Sequence, residues 1–196
     1  MTGQRGPGRP RSEAARRAIL DAAMGELQER GYAALTMQGI AARAGVGKQT
    51  VYRWWQSKAE VTLEAVAEMA DEFVAVPDEG TLQADLDAFL AATFHQRGQR
   101  PALVGLMAQA LLDPEFAARF RDRFLVVRRA VFRSILDRAV ERGEVAPDAD
   151  LDLLMDVVYG VLWYRLMLDH APVDEELGRR LSRLVAREAA GADRPS

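Results

Sequence analysis

The sequence predicts an all-α protein: an N-terminal three-helix domain built around a helix-turn-helix, joined to a longer C-terminal helical domain. Three observations carry this. Apolar residues recur at spacings of three and four in segment after segment. Thr36–Lys58 is punctuated as two short helices about a turn. Nowhere does an apolar/polar alternation of period two mark a strand.

The first helix is expected from Ser12, as cap, to about Arg30, with Ile19, Ala22, Ala23 and Leu27 as its buried stripe and Gly31 as its stop. Tyr32 and Leu35 should turn inward. Thr36 is placed to cap the second helix through its hydroxyl, and Ile40, Ala41 and Ala44 give that helix an apolar side. Gly45 suits the left-handed residue that ends it, and Gly47 is a second-rank cap for the third. The third helix, Lys48–Gln56, buries Val51 and Trp55 and turns Lys48, Gln49, Tyr52 and Arg53 outward. Lys and Arg pair with phosphate or guanine and Gln with adenine, so this face suits a DNA major groove.

Charge supports that placement. Residues 1–58 carry ten basic and four acidic side chains, leaving 16 basic and 25 acidic of the chain's 26 and 29 for the remainder. A basic head docks on phosphates and an acidic body stays off them. Residues 1–11 have nothing to bury and are expected to be a disordered basic arm, in which Gly8-Arg9-Pro10-Arg11 could lie in a narrow minor groove.

The run Arg16–Leu63 resembles the DNA-binding domain of the TetR (tetracycline repressor) family of bacterial transcription regulators. The residues that carry the resemblance are Ile19, Ala22-Ala23, Gly31-Tyr32, Leu35-Thr36, Ile40-Ala41, Ala44-Gly45-Val46, Thr50–Trp55 and Ser57-Lys58. Two positions depart from it: Gly47, where the family usually has Ser or Thr, and Trp54-Trp55, where His or Tyr followed by Phe is commoner. The domains expected are the arm at 1–11, the helix-turn-helix domain at 12–62, and an effector-binding and dimerisation domain at 63–196. DNA contacts are expected from Thr36, Gln38, Gly47, Lys48, Gln49, Thr50, Tyr52, Arg53, Trp54 and Lys58. Gln38, Lys48 and Gln49 are assigned to base edges and Thr36, Thr50, Tyr52 and Lys58 to phosphates, with Arg53 able to serve either.

The body reads as helix throughout. A fourth helix begins at Ser57-Lys58, with Leu63, Val66, Ala70 and Phe73 in register, and 76–80 is a loop. Helices follow over Thr81–Arg97, over Pro101–Leu112 (apolar nearly all round and so expected to be buried), and in one long run over Pro114–Arg142. Two more follow, from Asp150 to about His170 and from Asp174 to about Ala189. Residues 63–196 are similar to the TetR-type helical body in helix order and length. The resemblance implies a homodimer through the last two helices, for which Leu154, Val158, Leu162, Leu177, Leu181 and Leu184 fit a seam, burial within one subunit being the alternative. It also implies a pocket for a small, mostly apolar effector. The candidates are Phe94, Met107, Leu111, Met155, Tyr159, Trp163 and Tyr164, with His95, Arg165 and His170 as polar options. The same side chains could instead simply fill the core.

Other chemistry is narrowly bounded. There is no cysteine, so disulfides, thiolate catalysis and cysteine-ligated zinc are excluded, and two histidines are too few for a His-rich metal site. Gly45–Thr50 is no phosphate loop: position 42 is Ala and position 49 is Gln where the pattern needs Gly and Ser or Thr. No hydrolase motif appears, so neither enzymatic activity nor a cofactor is expected. No apolar run reaches the ~18 residues of a membrane span, and no secretory leader is seen, so a cytoplasmic protein is expected. The function expected is a ligand-responsive repressor on a palindromic double-stranded DNA operator. The alternative is a DNA-architectural or partner-recruiting protein that senses no small molecule.

Overall fold

Several helices begin at a residue whose side chain takes an orphan backbone N–H, and several end where the chain goes left-handed. The computed structural model describes residues 9–72, 76–94 and 100–191, and all of its regular elements are helical. They are α1 (Arg9–Ala34), α2 (Met37–Arg43), α3 (Lys48–Tyr52), α4 (Lys58–Glu72), α5 (Leu82–Phe94) and α6 (Arg100–Leu112). After these come α7 (Pro114–Phe120), a π-helical segment (Arg121–Leu125), α8 (Val126–Glu141), α9 (Leu151–Leu168) and α10 (Glu175–Ala189). Asp113 Oδ1 accepts the amides of Glu115 and Phe116 at 3.1 Å, and Asp150 and Asp174 accept those of Leu153 and Leu177 at 3.0 Å.

α1 starts before the expected cap Ser12. Pro10 is tolerated in its first turn, where a missing N–H has no intrahelical partner. Residues 9–11 of the expected arm are thus helical, and residues 1–8, Phe73 and His95 lie outside the described residues.

The chain forms two compact units. The first comprises the described residues up to Met69 together with Pro101–Phe120, so α6 and α7 join the head although they are distant from it in sequence. Its core holds Ile19, Leu27, Ile40, Val51, Val61, Val66 and Leu106. α6 is not buried all round: Ala102 and Leu106 face inward, whereas Leu111 and Leu112 are 73% and 84% exposed. A helix apolar on every side carries no signal for which side a core will take. Gly105 shows which one was taken, because a Cβ built there would overlap the Tyr32 ring. Arg119 of α7 donates to Glu60 of α4 at 2.5 Å.

The second unit contains Ala70–Arg100 and the chain from Arg121 onward. Its core is formed by Leu86, Phe89, Phe132, Ile135, Val158, Leu181 and Val185, with α10 laid along α5. The long helix expected over Pro114–Arg142 is interrupted by the π segment. A π turn rotates the apolar stripe out of register. Phe116 and Phe120 are buried before it and Phe132, Ile135 and Leu136 after it, but Phe124, Val127 and Val131 are only partly covered. Asp85, fully buried, accepts the Glu79 amide at 2.5 Å and Arg142 Nη2 at 3.0 Å, with Arg138 at 3.7 Å. Glu144 accepts the Leu82 amide at 2.6 Å, so loop 76–81, α5 and the end of α8 are tied by charge.

The expected dimer seam is corrected here. Leu154, Val158, Leu177 and Leu181 lie in this unit's own core, Leu162 packs against it, and only Leu184 is exposed. Periodicity marks a stripe that must be covered; it does not say whether α5 and α8 or a second subunit cover it.

Gly105→Ala should force the Tyr32 ring or α6 to move and cost about 1–3 kcal/mol of stability. Urea denaturation of the variant measures this, and an unchanged midpoint would show that the contact yields without strain.

Candidate nucleic-acid interface

The interface is built on a helix too short to stand alone. Thr36 Oγ1 accepts the Gly39 amide at 3.0 Å and starts α2. Gly45, at φ 67°, turns the chain, and Gly47, extended at φ −68° and ψ 144°, leads into α3 with no side-chain cap. α3 ends at Tyr52, earlier than the expected Gln56, because the Trp54 and Trp55 amides both turn back to the Val51 carbonyl at 3.0 Å. Val51 and Trp55 are buried as expected. Lys48, Gln49, Tyr52, Arg53 and Trp54 are exposed, Thr50 is half-buried, and Thr36, Gln38 and Gly47 are exposed beside them.

The exposed cations lie on aromatic faces. Lys48 Nζ is 5.4 Å from the Tyr52 ring centroid and the Arg53 guanidinium 6.0 Å from that of Trp54. This brings positive charge and flat apolar surface onto one face, a combination that suits a sugar-phosphate wall.

Lys58 has a partner that the sequence did not show. Its Nζ donates to the Tyr32 carbonyl at 2.9 Å and the Ala33 carbonyl at 3.3 Å, and sits 4.8 Å from the Tyr32 ring centroid. It therefore caps the end of α1, with one of its three ammonium hydrogens left for a phosphate.

Three helices of the head are locked by charge. Arg43, ending α2, donates to Glu29 of α1 at 2.8 Å and lies 3.6 Å from the buried Glu26. Hydrogen bonding to Glu29 holds the Arg43 pKa above its ordinary value, and Arg43 holds that of Glu29 below its own. Gly25 leaves the room, since a Cβ there would sit 2.5 Å from the guanidinium. Arg16 of α1 pairs with Glu64 and Glu68 of α4, and Glu64 Oε2 accepts the Trp55 indole N–H at 2.7 Å.

Comparison with known proteins agrees with this geometry. Residues 19–68 match the family described as bacterial regulatory proteins, tetR family, and residues 76–185 match the tetracyclin repressor-like C-terminal domain. The chain belongs to the TetR family. It is 34% identical over 176 residues to the HTH-type transcriptional regulator YdeS of Bacillus subtilis, covering 89% of each chain. To the DNA-binding transcriptional repressor TetR of Mycobacteroides abscessus it is 32% identical, over 86% of this chain and 90% of that one. The crystal structure of the TetR family transcription regulator SCO0332 superposes with a TM-score of 0.75 at 32% identity, covering 88% of this chain and 96% of the other. This chain is accordingly a DNA-binding transcriptional regulator of the TetR family. No helix among the described residues is long and apolar enough to cross a membrane, and no cluster among them could hold a metal ion.

The residues expected to line a TetR-type effector pocket are divided between the two units. Phe94 and Met155 belong to the core of the second unit. Tyr164 is exposed and meets the His170 ring at a tilt of 57°, 4.5 Å between centroids. Tyr159 and Trp163 are half-buried. The Tyr159 hydroxyl donates to the Arg128 carbonyl at 2.9 Å, and burial pushes its pKa up to about 12, so it stays a donor. Arg165 donates to the Pro172 carbonyl at 2.7 Å. Met107, half-buried, and Leu111, exposed, lie in the first unit.

Sequence reasoning passed over Arg16, Glu64 and Arg43. One signal for Arg16 was present: it stands three residues before Ile19 and seven before Ala23, a charge on the buried stripe that needed a carboxylate partner.

Lys58→Ala should lower stability by about 1–2 kcal/mol, because two carbonyls at the end of α1 lose a charged donor. It should also weaken binding to all duplexes alike. Urea denaturation and titration of a random-sequence duplex check the two effects separately.

Proposed function

We propose that the protein is a homodimeric repressor that reads a palindromic operator with Lys48, Gln49 and Arg53 and is released by a small, mostly apolar effector. The outward face of α3, fixed by the burial of Val51 and Trp55 behind it, carries this reading. Gln38, Lys48 and Gln49 address base edges, and Arg53 can address either a base or a phosphate. Thr36, Thr50, Tyr52 and the remaining Lys58 hydrogen address phosphates, with Gly47 and Trp54 against the backbone. Repression accords with the relative named as a DNA-binding transcriptional repressor.

The second subunit docks on the open side of α9. Leu153, Val157, Gly160, Tyr164 and Leu168 repeat at spacings of three and four, and none is buried by this chain. Leu153, Tyr164 and Leu168 are 57%, 59% and 60% exposed. Gly160 meets nothing within 4 Å, which lets a partner helix approach closely. A two-fold pairing of this stripe with its copy, flanked by Leu184, replaces the seam expected from periodicity. Effector binding falls to the second unit, where Tyr159 and Trp163 are the remaining wall candidates. An effector weakens DNA binding only by its differential affinity for two states of the dimer.

Gly160→Glu tests the assembly. The site is open in the single chain, and replacing a mid-helix glycine favours the helix by up to about 1 kcal/mol, so folding should be intact. Sedimentation should report a monomer, and selection from a random-sequence duplex pool should recover a palindrome with the parent protein but only weakly bound half-sites with the variant. A variant that stays dimeric contradicts the seam. A parent protein that enriches no sequence favours the DNA-architectural alternative.

A further inference from the structure

Apolar burial sets how deeply α3 sits but not which way it points, because the hydrophobic effect has no direction. α3 has five residues and buries one of them, Val51. Two directional bonds link its trailing end to α4: the Gln56 amide donates to Glu60 Oε2 at 2.8 Å, and one bond is made by a buried side chain. Trp55, 3% exposed, donates its indole N–H to Glu64 Oε2 at 2.7 Å. Glu64 is itself held: its other oxygen takes Arg16 Nη2, which also reaches Glu68 one turn further along α4. The acceptor thus belongs to α4, its orientation is set by a guanidinium on α1, and the donor follows the reading helix by three residues. A charged acceptor of restricted geometry, met by a buried ring whose two rotatable bonds are fixed by packing, defines an angle as well as a distance.

We propose that Trp55, Glu64 and Arg16 form a positioning relay that sets the angle of α3 and so governs discrimination between DNA sequences rather than affinity for DNA in general. The inference rests on the DNA-reading function proposed above. A tilt of the face carrying Lys48 and Gln49 misaligns bidentate contacts to base edges, which require close geometry. Contacts of lysine and arginine with phosphates tolerate the same tilt, because they depend chiefly on proximity of charge.

The test uses Trp55→Phe in the full-length protein, which keeps an aromatic ring in the core, removes the donor and leaves the ring smaller, so that a Glu64→Ala background is needed to separate the bond from the lost volume. Binding is measured to the palindromic duplex selected by the parent protein and to a random-sequence duplex, at a temperature well below both melting midpoints. The ratio of the random-duplex to the palindrome dissociation constant should fall about tenfold, as expected for one hydrogen bond to a charged group, with the random-duplex value unchanged. In a Glu64→Ala background, Trp55→Phe should cause no further fall. An unchanged ratio in Trp55→Phe overturns the relay, as does equal weakening on both duplexes, and both outcomes hold even if Glu64→Ala does not fold. An equal loss with and without Glu64 also overturns it. A parent protein with no sequence preference overturns the DNA-reading function together with the relay, whereas a discriminating parent and an equally discriminating Trp55→Phe overturn the relay alone.

Discussion

A five-residue helix cannot hold itself together. Nucleation fixes several dihedrals before the first hydrogen bond forms, and isolated helices of even a dozen residues are marginal in water. α3 therefore exists because of what lies behind it, and the first unit is best understood as the apparatus that keeps it in place. Val51 and Trp55 anchor it in a core made by Ile19, Leu27, Ile40 and Val66. Thr36 and Gly45 fix the entry, through a side-chain cap and a left-handed turn. Beneath them, α1 is joined to α2 through Arg43 and to α4 through Arg16, while Lys58 closes its end. The outward side chains contribute nothing to this scaffold, which leaves them available for a ligand.

The second unit solves a different problem. It carries most of the chain's acidic excess, and its buried carboxylate is answered by charge. Asp85 faces two guanidiniums and a backbone amide; Ser182, also fully buried, bonds Asp87. Such networks rigidify when complete and are costly when broken. They hold α5, α8 and α10 as a fixed frame against which α9 presents one face to the core and leaves the other open. A rigid frame with one uncovered apolar stripe suits the dimer proposed above, in which two reading helices would match a palindrome only if the subunits did not flex freely.

The fold class, the helix order and the side chains that α3 turns outward were legible in the sequence because each has a local cause. Gly31, Gly45, Thr36, Asp150 and Asp174 act within a few residues of themselves, and the structure uses them as their chemistry predicts. What the sequence did not show depends on distant partners. Leu154, Val158, Leu177 and Leu181 form the expected stripe, but what covers the stripe is a fact about α5 and α8. Pro101–Leu112 is apolar on all sides, so its pattern could not say which side would meet Tyr32. The π segment at Arg121–Leu125 breaks a periodicity that reads as continuous. Lys58 was assigned to phosphate from its place at a helix start, yet its nearest acceptors are carbonyls about 25 residues away in the chain. In the first unit, side chains that face outward could be named in advance, and those that hold others in place could not.

The central claim is that the outward face of α3 reads base identity, and it is tested most directly at the side chain with the fewest other duties. Gln49 is exposed, and its side chain caps no helix and pairs with no side chain among the described residues, so its replacement leaves the scaffold alone. Parent protein and Gln49→Ala would each select from the same random-sequence duplex pool, and the recovered sequences would be compared position by position. The account predicts that one symmetry-related pair of positions loses its preference, at a cost of about 1–3 kcal/mol on the parent palindrome, while every other position keeps its own. Recovery of the same palindrome with the same preferences by both proteins, or uniform loss of preference at all positions, would contradict it.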